Sequence, residues 1–113
     1  MGFLDEIKQN VPLQVRPVSR EPDYLEAVVT VRDMGVLEGI LTRHLGEAHK
    51  MPGQAILFDE EIRTVVDAVG GLMIQQTLFY RKEAGKILYA MLWPWQSDPN
   101  RITLKAGVVP EKT

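Results

Sequence analysis

The sequence predicts a small single-domain α+β fold: an antiparallel sheet of four or five strands with two amphipathic helices packed on one face. Three observations carry that expectation. Ile62, Val65, Val66 and Val69 recur at i, i+3, i+4 and i+7, the single apolar stripe of a helix that docks on one side. Leu37, Ile40, Leu41, His44 and Leu45 repeat the same spacing earlier in the chain. Three strand-like runs then follow one another at 72–82, 86–93 and 101–109, joined by short turns, which predicts an antiparallel meander.

In chain order, residues 3–10 form a short helix with Phe3, Leu4 and Ile7 on one side. Eight residues make a marginal helix in water, so this one must dock to persist. Pro12 and Pro17 bracket Leu13-Gln14-Val15-Arg16, which reads as a short edge strand or an extended arm, because proline donates nothing to a ladder. Tyr24 to Val31 is a strand with Leu25, Ala27, Val29 and Val31 on its core side. Asp33 is placed to cap the helix over 34–45, which Gly35 and Gly39 weaken by roughly 1 kcal/mol each relative to alanine. These glycines predict either close packing on the sheet or an irregular first turn. Gly46 ends the helix. Residues 47–54 read as a loop, and 55–58 as a short strand or an apolar lead-in to the next helix.

Asp59, Glu60 and Glu61 stand where orphan N–H groups and the positive end of a helix dipole favour carboxylates. Gly70-Gly71 terminates that helix, since glycine adopts the left-handed C-cap conformation without a Cβ clash. Glu83-Ala84-Gly85 joins the first two meander strands, and Gln96 to Asn100 is the turn before the last one. In that last strand Ile102, Leu104, Ala106 and Val108 face the core, while Arg101, Thr103 and Lys105 face water. Pro110 to Thr113 is a frayed tail.

The central meander strand is the unusual one. Ile87, Tyr89, Met91 and Trp93 point one way, and Leu88, Ala90 and Leu92 the other, so both faces are apolar. Such a strand is covered twice, or covered once with its other face at an interface. With the 34–45 and 59–69 helices on one face, the second face needs a cover. A second copy of the chain or the segment from Phe3 to Val15 would supply it.

Composition narrows the function. Of 113 residues, 45% are hydrophobic and 25% charged, the proportions of an ordinary globular domain. The chain has no cysteine, which excludes thiol catalysis and thiolate metal sites and fits a reducing, cytoplasmic setting. No basic n-region with an apolar run opens it, so no signal peptide is expected, and no apolar run is long enough to span a membrane. The formal net charge is −2, which argues against a general attraction to nucleic acid. Residues 1–61 hold 6 basic and 11 acidic residues, and residues 62–113 hold 7 and 4, a split read as capping acids against solvated strand faces.

The motifs that resemble chemistry fail on spacing. His44, Glu47 and His49 lie close in sequence, but five helical steps turn the two histidines roughly 140° apart. Zinc motifs of this kind place them four residues apart on one face, so no metal is expected here. Gly70-Gly71 runs from helix into strand, the reverse of a phosphate loop. Ser19 and Ser97, the only serines, sit in turns with no adjacent histidine. No catalytic residue and no cofactor is assigned. Trp93-Pro94-Trp95 is the remaining outlier: both tryptophans of the chain flank one proline at the end of the central strand. Tryptophan is enriched in binding hot spots. Phe79, Tyr80 and Arg81 on the neighbouring strand are expected beside them.

The leading expectation is therefore a non-catalytic protein-interaction module that self-associates through Phe79, Arg81, Trp93 and Trp95. The alternative is a small-ligand-binding protein or an enzyme with a pocket between sheet and helices, using Tyr24, His44 and Tyr89. A third is single-stranded nucleic-acid binding on the meander.

Overall fold

The computed structural model describes residues 2–16, 23–46, 60–68, 76–95 and 97–110, the side chains of 60–62 and 68 aside. Helix α1 spans Phe3–Asn10, followed by the two-residue strand β1 (Gln14–Val15) and strand β2 (Tyr24–Thr30). A single 3-10 turn at Val31–Asp33 leads into α2 (Met34–Leu45), and α3 spans Glu60–Ala68. The meander is β3 (Thr77–Glu83), β4 (Lys86–Pro94) and β5 (Arg101–Pro110). All pairings are antiparallel, in the order β1-β2-β5-β4-β3. The α+β class, the five-strand sheet and the C-terminal meander are those the sequence predicts.

Strand register assigns the faces. Ala90 opposes Ala106 and Phe79, Leu92 opposes Leu104, and Leu25 opposes Ala106, so these side chains share one face. That face carries the main core, into which α1 sends Phe3, Leu4 and Ile7 and α2 sends Leu37, Ile40, Leu41 and Leu45. Two amphipathic helices do pack on one face, but the pair is α1 and α2. Val66 of α3 joins Leu78, Ile87 and Met91 in a second cluster on the opposite face. Tyr80, Trp93 and Val109 lie at its rim. An amphipathic stripe obliges a helix to dock without saying on which side, and here the two-faced β4 receives one helix layer from each direction.

This corrects two expectations about the second face. The N-terminal segment does not cross it, because Phe3, Leu4, Ile7 and Val11 are buried in the first-face core. Nor is it a bare apolar surface. Among the described residues the exposed large hydrophobics are Val15, Val31 and Val36, none of them on the meander.

Local departures have local causes. Val31 belongs to the 3-10 turn and is 43% exposed, so it leaves the core side of the strand. Asp33 precedes α2 without capping it; its carboxylate instead accepts the Thr30 hydroxyl at 2.6 Å. Gly35 and Gly39 face outward, where an added Cβ meets no described atom within 4 Å, so helix–sheet packing is not their reason. Ala84-Gly85 is a two-residue hairpin turn with φ of 51° and 78°, the positive values such tight turns require. Residues 55–58, Asp59, Gly70-Gly71, 72–75 and 111–113 lie outside the described residues.

Candidate functional site

The register of β4, β5 and β2 gathers several polar and aromatic side chains on the second face, beside the α3 cluster. Trp93 opposes Thr103, Met91 opposes Lys105, and Tyr89 opposes Gly107. Across β5, Thr103 opposes Val28, Lys105 opposes Glu26, and Arg101 opposes Thr30. Side chains of alternate residues share a face, so Trp93, Thr103, Lys105, Glu26 and Arg101 lie together.

The tight turn before β5 sets that register. The Asn100 N–H donates to the Asp98 carboxylate at 2.9 Å, and the Arg101 N–H to the Asp98 carbonyl at 3.1 Å. Asp98 also pairs with the Arg101 guanidinium at 3.2 Å. The Trp95 N–H then donates to the Arg101 carbonyl at 3.1 Å, continuing the ladder past Pro94.

Both indole rings are half-buried and carry a cation. Lys105 Nζ lies 3.5 Å from the centre of the Trp93 ring, and the Arg101 guanidinium 5.6 Å from that of Trp95. Such contacts contribute about 0.5–1 kcal/mol at exposed sites and more where water is excluded. Trp95 Nε1 donates to the Thr103 hydroxyl at 2.8 Å, and Thr103 is buried. Trp93 Nε1 is buried with no acceptor among the described residues. The rings are thus held by neighbours on β5.

Next to them is a tyrosine–carboxylate–arginine chain. The Tyr24 hydroxyl donates to Glu26 Oε1 at 2.6 Å, and Arg16 Nε lies 3.4 Å from Glu26 Oε2. Burial, with the bond to Glu26, pushes the Tyr24 hydroxyl far above its ordinary range. Burial pushes Tyr89 up to about 12. Burial also lowers Lys105, against the nearby Glu26 carboxylate, which acts to raise it. Both phenols stay protonated at neutral pH, which suits hydrogen-bonding and packing roles.

The other sequence-predicted residues lie elsewhere. Phe79 is 3% exposed in the first-face core, so it is not beside the tryptophans: residues that alternate along β3 put it on the other side. Arg81 is exposed and donates to the His44 carbonyl at 3.4 Å. His44 is on the first face, where Nε2 sits 2.8 Å from Glu6 Oε1 and the ring lies 6.2 Å from that of Phe3. Arg43 pairs with the other Glu6 oxygen. Bonds from His44 and Arg43 hold the Glu6 carboxyl below its usual range. Tyr24 and Tyr89 share the second face, and His44 does not, so these three do not line one pocket. Glu47 and His49 lie outside the described residues, among which no cluster of three or more metal-ligating side chains occurs.

The depressions among the described residues include two at the sheet. One, of about 310 Å³, lies between Asp23, the Ala84-Gly85 turn and Val108 to Pro110. The other, of about 280 Å³, is lined by residues of β1 and β2 together with Arg32, Asp33 and Arg101. Neither contains the tryptophans or His44. Thr103, Lys105, Glu26 and Arg16 were not predicted as site residues. The signal for them was the hairpin register implied by the Asp98-Pro99-Asn100 turn, which sets Thr103 opposite Trp93. Comparison with protein-family models, with curated proteins and with solved structures found no match.

Proposed function

We propose that this chain is a small non-catalytic protein-interaction module that self-associates, with the β4–β5–β2 part of the second face as its contact surface. The supporting observation is the pair of half-buried tryptophans held beside Arg101 and Lys105, on the same face as Tyr24. Trp, Tyr and Arg are the side chains that dominate interface hot spots. Held rings lose little conformational freedom on association, which favours their use as anchors.

The charges on this surface favour protein over nucleic acid. Arg16 and Arg101 are each paired with a carboxylate, Glu26 and Asp98. Lys105 and Arg101 already stack on the rings that bases would need. A surface carrying both signs, on a chain of net charge −2, suits a second copy of itself. A twofold contact would place each positive side chain within reach of the partner's carboxylates. The cysteine-free composition fits a cytoplasmic setting for that association. Among the described residues no helix is long and apolar enough to cross a membrane.

Trp93 and Trp95 are the only tryptophans, so intrinsic fluorescence reads this surface directly. On dilution from about 100 µM to below 1 µM, acrylamide quenching should rise as the rings become accessible. Quenching that is constant over that range and equal to that of a dilute control would overturn the proposal. Adding a single-stranded oligonucleotide to the dilute sample should leave the emission unchanged.

A further inference from the structure

We draw no further inference here: the strongest candidate, the outward face of α2 formed by Gly35, Val36 and Gly39, carries nothing because it is a stripe of small residues and nothing in the structure shows what covers it.

Discussion

Gly107 is the position where one added methyl group tests the packing of the sheet most sharply. It lies in β5, between Tyr89 on β4 and Tyr24 on β2. A Cβ built there would stand 2.6 Å from the Tyr89 hydroxyl, 2.8 Å from Tyr89 Cζ and 2.8 Å from the Asp23 carbonyl oxygen. None of these can withdraw easily. The Tyr89 ring is 4% exposed, and the Asp23 carbonyl accepts the Val108 N–H at 2.9 Å. Overpacking of this kind costs about 1–3 kcal/mol, partly offset by the 0.5–1 kcal/mol that alanine gains over glycine within a strand. Gly107→Ala should therefore destabilise by about 1–2 kcal/mol, lowering Tm by roughly 5–10 °C for a domain of this size. Gly35→Ala and Gly39→Ala are the matched controls. Their Cβ atoms enter open space, and each should stabilise by up to about 1 kcal/mol. Thermal and urea unfolding followed by circular dichroism would read all three. If Gly107→Ala melts at or above wild type, Tyr89 does not lie across β5 and the assigned register is wrong.

Ala84 sits at φ 51° in the hairpin turn, so Ala84→Asn should stabilise by about 0.5–1 kcal/mol in urea unfolding; an unchanged midpoint would contradict that turn geometry. Val66 is 2% exposed against Leu78, Ile87 and Met91, so Val66→Asp should cost several kcal/mol, and a variant melting within a few degrees of wild type would displace α3 from the second face. Bonds from His44 and Arg43 hold the Glu6 carboxyl below the usual carboxylate range, so its contribution is present above the unfolded pKa and lost as pH falls through the lower folded value. Glu6→Gln should flatten the acid limb of the stability–pH curve below about pH 4.5, and an acid limb identical to that of wild type would mean that the pairing does not form in solution.

Period-2 and period-3.6 patterns made the strands and helices of this chain readable, because burial of one face leaves a local trace in sequence. The turns at Gln96 to Asn100 and at Glu83-Ala84-Gly85 likewise announced the meander, while its register was not read from the sequence. What had no local trace was the side of the sheet each helix chose. The α2 and α3 stripes look alike, yet Leu41 and Val66 are buried on opposite faces. Only the doubly apolar β4 hinted that both faces were needed. The same limit hid the pairing of His44 with Glu6, which lie 38 residues apart, and led to Phe79 being grouped with tryptophans that face the other way. Gly107 leaves a trace of its own, since a lone glycine inside a strand marks a close approach. The Trp93-Pro94-Trp95 motif stood out in the sequence, and the cations stacked on its rings emerge only once β5 is set beside β4.

Self-association through the tryptophan surface is most directly tested by sedimentation of wild type and Trp95→Ala at tens of micromolar. Trp95 is half-buried and bonded to Thr103, so circular dichroism of the variant must first show wild-type structure. Wild type should sediment with twice the 12.8 kDa of one chain, and Trp95→Ala should move toward the mass of a single chain. A wild type that stays at one chain's mass throughout would contradict self-association, and a dimer unaffected by Trp95→Ala would contradict this surface as its interface.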